Sequence, residues 1–243
     1  MNPQCPLIFA HRGANSFAPE NSLAAFEKAK ELGCHGIELD VRSCGSGEVV
    51  VFHDRYVTRM TGEKGKISNL NLSTLKKLRL LHDRVQDEKI PTLPEALELI
   101  GKELLINIDI KKNFLKKNDI EEKIVKILAD KNFEDNIIIS SFNPWVLKKI
   151  SVLNPNLHTG FIFSSRSSMM FLNGHPVKSL HARYSILNQR YLQNLLHRKQ
   201  QVYAWTVDDE MAMKKLLHMK IDGIITNRPE ILIHLCHKIY PSH

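Results

Sequence analysis

The stretch Gly36-Ile37-Glu38-Leu39-Asp40-Val41 alternates between carboxylates on one side of an extended chain and aliphatic side chains on the other. Similar β-rich runs recur along most of the chain, and they are typical of strands that are buried against helices. Together with residues 36–41 they make eight predicted strands, the others being 7–10, 104–110, 136–141, 157–163, 179–183, 201–206 and 222–226. A further run at 48–52 is predicted to extend the second strand or to pair beside it.

Amphipathic stretches separate these runs and predict helices at 22–32, 121–131, 144–152, 189–198, 209–219 and 229–236. Eight strands joined by crossover helices imply a closed (β/α)8 TIM barrel. Because 243 residues match the usual size of this fold, we expect a single domain over residues 1–243. Between about 54 and 90 the pattern loosens, which indicates a small insertion after the second strand, with a short charged helix near 75–81.

The charge of the chain favours anionic partners. Its formal net charge is +8 and its pI is near 9.3. The densest basic run, residues 111–117, lacks the repeated aromatic and arginine residues of a nucleic-acid-binding strip. The charge thus leaves phosphorylated small molecules and acidic lipid surfaces open as partners, and no nucleic acid is expected.

The sequence favours a cytoplasmic protein without stable membrane insertion. The first ten residues contain no basic leader, and no apolar run approaches the roughly 18 residues that are needed to cross a bilayer. The four cysteines, Cys5, Cys34, Cys44 and Cys236, form no C-x-x-C pair, so we expect reduced thiols. No particular oligomeric state is predicted.

Acidic side chains share one face of two predicted strands. Glu38 and Asp40 lie on one face of the second strand, and Asp109 lies beside Asn107 and Lys111 on one face of the third. Carboxylates that converge at the carboxyl end of a barrel repel each other unless a cation or a proton compensates, and hard oxygen ligands suit Mg²⁺ or Ca²⁺. The alternative is an exposed strand end with ordinary solvated acids.

Two histidines each end a β-run. His11 follows the first strand and His53 follows the run at 48–52. Imidazoles exchange protons near neutral pH, so the pair could serve as a general base and a general acid, although a histidine at a strand end can also be purely structural. Arg12 and Lys111 supply positive charge for phosphate oxygens, which makes a phosphate ester the expected anionic substrate.

Seven segments together resemble one known family, the glycerophosphodiester phosphodiesterases. They are HRG at 11–13, PENS at 19–22, GIELDV at 36–41, VVFHD at 50–54, IPTLPEAL at 90–97, AWTV at 204–207 and DGIITNRP at 222–229. The resemblance runs from residue 8 to about residue 232. It implies a barrel with a small insertion after the second strand, and an enzyme that hydrolyses glycerophosphodiesters to glycerol 3-phosphate and an alcohol.

The resemblance also implies a role for each candidate residue. The divalent metal would be bound by Glu38, Asp40 and Asp109. His11 would be the base or nucleophile and His53 the acid. The substrate would contact Arg12 and Lys111 through its phosphate, Glu20 near the metal or the glycerol, and Trp205 as an apolar wall; Trp205 can equally be a buried core aromatic.

The sequence departs from the family pattern at two places. Asp109 stands where the family usually has Glu, which could lengthen a metal bond or change the metal preference. The Asp-Gly turn common before the second histidine segment is replaced by CGSGE at 44–48. Two other functions stay open: hydrolysis of lysophospholipids at a membrane surface, suggested by the basic charge and residues 70–81, and a non-catalytic metabolite-binding barrel, suggested by Asp109.

Overall fold

The computed structural model describes residues 5–112, 119–172 and 175–241. Within them, nine strands form one sheet: β1 Leu7–His11, β2 Gly36–Ser43, β3 Val49–Val51, β4 Leu105–Ile110, β5 Ile137–Ser141, β6 His158–Phe163, β7 Ser179–Arg183, β8 Gln201–Trp205 and β9 Gly223–Thr226. The sheet order is β1-β9-β8-β7-β6-β5-β4-β2-β3, and β1 also pairs with β2. That pairing closes eight parallel strands into the predicted (β/α)8 barrel, with β3 antiparallel to β2 outside the ring.

Nine α-helices connect these strands in the described part of the chain: α1 Leu23–Glu31, α2 Thr58–Thr61, α3 Leu72–Leu75, α4 Leu93–Ile100, α5 Ile120–Lys131, α6 Pro144–Leu153, α7 Gln189–Leu196, α8 Glu210–His218 and α9 Pro229–Ile239. Short 3-10 helices lie at Ile67–Asn69, Glu134–Asn136, Arg166–Leu172 and Tyr184–Ile186. All six predicted helical runs are present. The predicted basic run at 111–117 falls largely outside the described residues.

Two features of the region between β3 and β4 differ from the sequence-based prediction. The prediction of a charged helix near 75–81 is wrong. The helix in this region, α3, begins after Asn71, whose side chain accepts a hydrogen bond from the Thr74 amide, and it ends at Leu75. Helix α4 was not predicted, although Thr92 and Glu95 form a reciprocal capping box at its start.

The outer face of β2 is aliphatic and its inner face is acidic. Ile37, Leu39 and Val41 point outward and are fully buried in a core cluster that also contains side chains of α1 and α4. Glu38 and Asp40 alternate with them and point inward, as the period of a strand requires. The insertion between β3 and α4 packs around its own small apolar cluster, so it is a folded extension of the barrel rim.

Two cysteines are joined by a disulfide, Cys5 to Cys236, so the expectation of four reduced thiols is wrong. Closure of the barrel places the residues before β1 next to α9, and the two Cα atoms are 5.9 Å apart. Cys34 and Cys44 are free and buried. Because cytosolic disulfides are rare, the bond weakens the expectation of a reducing cytoplasm.

Within the described residues, every helix is too short or too polar to span a bilayer.

Reduction of this disulfide should lower stability. A cross-link that closes most of the chain into one loop typically contributes about 2–4 kcal/mol to the free energy of unfolding. For a chain of this size, each 1 kcal/mol corresponds to roughly 2–4 °C in Tm. We expect a reducing agent to lower the Tm of the wild-type protein and to leave that of Cys5→Ser unchanged, as measured by calorimetry. Equal responses of the two proteins would contradict a native disulfide.

Candidate active site

Three carboxylates meet inside the carboxyl end of the barrel. Glu38 and Asp40 come from β2 and Asp109 from β4, and the register places Asp40 directly opposite Asp109. One carboxylate oxygen of each lies within 4.8 Å of those of the other two, and all three residues are buried. The sequence-based expectation that these acids point to one place therefore matches the geometry.

Two cations partly neutralise this cluster. The Lys111 ammonium contacts Asp109 and lies 2.9 Å from Asp40 Oδ1, and Arg12 Nε lies 3.1 Å from Asp40 Oδ2. Burial opposes ionisation of Asp40, but Lys111 and Arg12 hold its pKa well below the ordinary value. Burial and then the charge of Asp40 raise the pKa of Glu38, and burial raises that of Asp109 despite Lys111. Negative charge at Glu38 and Asp109 is thus undercompensated.

The carboxylate cluster fits a divalent metal ion. Asp109 Oδ1 is buried and has no hydrogen-bond partner among the described residues, which is costly unless another ligand contacts it. Three oxygen donors converging within 4.8 Å, with undercompensated negative charge, are the donor set that Mg²⁺ or Ca²⁺ prefers. A hard divalent cation at this place would supply the missing charge.

His11 is held in one tautomer. Its Nδ1 lies 2.7 Å from Asn227 Oδ1. The Asn227 amide nitrogen donates to Asp208 Oδ2 at 2.6 Å, which fixes Oδ1 as an acceptor. Nδ1 of His11 must therefore carry the proton and donate it, so the lone pair is on Nε2, which lies 3.9 Å from Glu38 Oε2. Burial and then the Arg12 charge lower the pKa of His11 to about 4, which favours the neutral ring.

His53 is oriented by a carboxylate. Its Nδ1 donates to Asp54 Oδ1 at 2.7 Å, which leaves Nε2 available. The carboxylate therefore fixes the orientation of the ring and directs Nε2 away from Asp54, as a proton-transferring imidazole requires. Arg42 donates to the His53 carbonyl through Nε at 2.8 Å and Nη2 at 2.6 Å, and thereby fixes the backbone at the end of the β3 hairpin.

A charged network joins the insertion to the barrel. Arg59 in α2 donates to Asp54 Oδ2 at 2.6 Å and to both oxygens of Glu20, and Glu20 accepts from Arg12 at 2.8 Å. Glu20, a predicted substrate-binding residue, is therefore bonded to two guanidinium groups and lies outside the carboxylate cluster. Arg59 positions both Asp54, the partner of His53, and Glu20, the partner of Arg12.

Replacement of Arg59 should reduce turnover without unfolding the protein. In Arg59→Gln the carboxylate that orients His53 loses its guanidinium partner, and small misplacements of reacting groups can be costly. We expect kcat to fall about tenfold with little change in KM, and Arg59→Lys to recover part of the loss. Arg79→Gln is a matched control because Arg79 also lies on the insertion and pairs with an acid, Asp87. Equal activities of the two glutamine variants would contradict the positioning role.

A cavity of about 180 Å³ connects these groups. His11, Arg12, His53, Asp109 and Lys111 line its polar part, and they are residues that the sequence had singled out. The predicted wall residue Trp205 also lines it. Its indole Nε1 donates to the His181 carbonyl at 2.9 Å and its ring packs edge-to-face on Phe142. Trp205 is therefore half-buried at the cavity rather than enclosed in the core.

Several residues that shape the site were not predicted. Asn21 binds Asp40 twice, through Nδ2 to Oδ2 at 2.8 Å and through Oδ1 from the Asp40 amide at 3.1 Å. Asn227 and Asp208 fix the His11 ring. Asn21 and Asn227 lie within segments that carry the family resemblance, so the sequence identifies these residues but does not show their contacts. The sequence does not identify Arg59 as a site residue, because its partners are 5 and 39 residues away along the chain.

Fold and site together point to an enzyme class: a (β/α)8 barrel whose carboxyl end holds converging acids, two imidazoles and two basic side chains suits the hydrolysis of phosphoric esters. The glycerophosphoryl diester phosphodiesterase family model matches residues 11–231, and the chain belongs to this family. A glycerophosphodiester phosphodiesterase of Caldanaerobacter subterraneus subsp. tengcongensis is 38% identical over 239 residues, covering 96% of this chain and 98% of the relative.

Other relatives agree with this assignment. A glycerophosphodiester phosphodiesterase of Bacillus altitudinis is 32% identical and covers 92% of this chain and 95% of its own. The solved structure of an Oleispira antarctica phosphodiesterase, in complex with the product sn-glycerol-3-phosphate, superposes with a TM-score of 0.85 at 28% identity, covering 95% of this chain and 96% of its own. The chain is therefore a phosphoric diester hydrolase, and the alternative of a non-catalytic barrel is set aside.

Proposed function

We propose that this protein hydrolyses glycerophosphodiesters to sn-glycerol 3-phosphate and an alcohol, with Mg²⁺ or Ca²⁺ as its cofactor. One observation carries the proposal. The three buried carboxylates and two imidazoles with fixed partners line or adjoin the same small cavity. The product-bound Oleispira relative supports the substrate class. We further propose that the barrel and its insertion form one domain over residues 1–243.

The residues of the chain would divide the chemistry as follows. Glu38, Asp40 and Asp109 would bind the metal, which when bound stabilises charge on the phosphoryl oxygens. Arg12, whose guanidinium can bind two oxygens at once, and Lys111 would bind the phosphate.

The two histidines would transfer the protons. His11 Nε2, which carries the lone pair, would accept a proton from the nucleophile, either water or a glycerol hydroxyl. His53, whose ring is oriented by Asp54, would donate a proton to the departing alkoxide. Trp205 would provide an apolar wall for the glycerol carbons.

An assay of product release tests the proposal directly. Purified protein supplied with Mg²⁺ or Ca²⁺ should release sn-glycerol 3-phosphate from glycerophosphocholine, measured by a coupled dehydrogenase. Release that requires the metal supports the proposal. Absence of release with either metal, from folded protein, would overturn the proposed substrate class.

A second candidate is hydrolysis of lysophospholipids at a lipid surface, and one observation favours it. The segments that follow the neighbouring strands β5 and β6 expose apolar side chains at the end of the barrel that holds the site. These are Phe142 (43% exposed), Trp145 (61%), Met170 (70%) and Phe171 (69%). Phe142 also lines the cavity, so the exposed group begins at the entrance.

The two candidates can be separated by comparing substrates. If lysolipid is the substrate, a lysophosphatidylcholine in mixed micelles should be hydrolysed faster than glycerophosphocholine. In that case Trp145→Ser with Phe171→Ser should reduce only the lysolipid rate, because these residues would contact lipid and not the reacting atoms. A faster rate with glycerophosphocholine, and no effect of the double substitution on either rate, would exclude the second candidate.

A further inference from the structure

Two buried polar side chains lie at the floor of the cavity, and neither has a role in the mechanism proposed above. His181 points inward from β7 and Asn107 points inward from β4, and both line the cavity although each is only 1% exposed. Within the described residues, Nδ1 of His181 and Oδ1 of Asn107 have no hydrogen-bond partner. An unpaired buried polar atom costs about 1–3 kcal/mol, so such groups are rare unless a ligand contacts them.

The fold holds the His181 ring firmly in this place. Nε2 lies 2.9 Å from Ser179 Oγ, and the ring packs edge-to-face on Tyr203 with centroids 5.0 Å apart. A Cβ atom at Gly160 on the neighbouring strand β6 would overlap the imidazole and come within 2.7 Å of Ser179 Oγ. Glycine at 160 therefore makes room for the ring, which indicates that the imidazole occupies a site built for it.

The chemistry of the floor suits hydroxyl groups. Burial and then the nearby His158 lower the pKa of His181 to about 3, so the ring is neutral and offers no charge to an anion. Asn107 presents an acceptor oxygen. Strands β5 and β6 lie between β4 and β7 in the sheet, so His181 and Asn107 would each bind a different group of the ligand. A hydroxyl can both donate and accept a hydrogen bond. Of two hydroxyls on adjacent carbons, one could therefore bond to His181 and the other to Asn107.

The cavity also limits the size of what can reach this floor. Its volume of about 180 Å³ is below the range of about 300–1,000 Å³ that is common for drug-sized ligands. Ile162, Ile225 and Trp205 make its walls apolar, which suits a short carbon chain. A three-carbon polyol fits this combination of a polar floor and apolar walls.

We propose that His181 and Asn107 form a hydroxyl-binding subsite that receives the two free hydroxyls of the glycerol half of the substrate. This subsite makes the enzyme select the glycerol half, while the alcohol on the other side of the phosphate faces the open end of the barrel. The inference rests on the proposed function and extends it, because it names the groups that distinguish glycerol from a plain alkyl chain.

The test compares two phosphodiesters of choline that differ only in the other alcohol. Glycerophosphocholine carries both hydroxyls, and the propan-1-ol ester of phosphocholine carries neither; choline release reports both reactions. We expect the wild-type protein to prefer glycerophosphocholine in kcat/KM by at least about tenfold. In His181→Phe, which keeps a ring but removes both nitrogens, this preference should fall about tenfold. Asn107→Leu should lower it independently, and His181→Gln should restore part of it.

Tyr191→Phe is the matched control, because within the described residues its hydroxyl is likewise buried without a hydrogen-bond partner, but Tyr191 lies on α7 and does not line the cavity. It should leave the ratio of the two kcat/KM values within about twofold of the wild type, since no hydrogen bond is removed. A wild-type enzyme without preference, or an unchanged ratio in both His181→Phe and Asn107→Leu, would overturn the subsite while leaving the proposed function intact. Failure of the wild type to release choline from glycerophosphocholine would instead overturn the proposed function itself.

Discussion

His11→Ala and His53→Ala are each expected to lower kcat by about 10²–10⁴-fold, the usual contribution of general acid-base catalysis. His11 Nε2 holds a lone pair because Nδ1 donates to Asn227, and His53 has its Nδ1 bound to Asp54. Neither ring fills the barrel core, so the variants should fold. Steady-state kinetics and calorimetry on the same samples would show whether activity falls while Tm stays near the wild-type value.

The leaving group can separate the two roles. A glycerophosphodiester of p-nitrophenol releases a stable phenolate that needs no proton, so the defect of His53→Ala should shrink with this substrate. The defect of His11→Ala should persist because the nucleophile still needs a base. His218→Ala is a control, since His218 is exposed on α8 and its Nδ1 pairs with the Lys214 carbonyl of the same helix. Near-normal activity of either site variant would refute its assignment.

Loss of Asp40, a proposed metal ligand, is expected to have an effect of similar size. Asp40 contacts Lys111, Arg12 and Asn21 and belongs to the carboxylate cluster. Asp40→Asn keeps the shape of the side chain but removes one negative charge from the proposed metal site. Since a catalytic metal supplies several kcal/mol of charge stabilisation, we expect a loss of about 10²–10⁴-fold at fixed metal concentration.

Metal titration distinguishes this effect from general damage. Wild-type protein treated with a chelator should lose activity and regain it when Mg²⁺ or Ca²⁺ is added. Asp40→Asn should need a much higher metal concentration for half-maximal activity. Asp130→Asn is a suitable control because Asp130 is an exposed acid on α5 that pairs with Lys126. Full activity of the wild type after complete metal removal would contradict the proposed metal site.

The barrel and its acids could be predicted because their signals are local. A strand has a period of two residues, so the alternation in residues 36–41 and 106–111 reveals both the strand and its inward face. Parallel neighbours then bring Asp40 and Asp109 together without further information. Helix α4 also has a local signal, since Thr92 and Glu95 have the spacing of a capping box. The helix predicted at 75–81 lies instead at Leu72–Leu75, because Asn71 caps its start.

The contacts that refine the site could not be predicted because they join distant parts of the chain. The tautomer of His11 depends on Asn227, which is 216 residues away in the chain. The orientation of the Asn227 amide group depends in turn on its hydrogen bond to Asp208. The unpaired nitrogen of His181 becomes apparent only when the ring is seen between Ser179 and Tyr203. The disulfide follows from closure of the barrel, which makes Cys5 and Cys236 neighbours although they are separated by 231 residues.

The hydrogen bond between His11 and Asn227 links β1 to the segment that follows β9. The same two strands pair with each other and complete the ring of the barrel. The orientation of the His11 imidazole is therefore coupled to closure of the barrel. A local separation of β1 from β9 would release the ring, even if every other strand pair stayed intact.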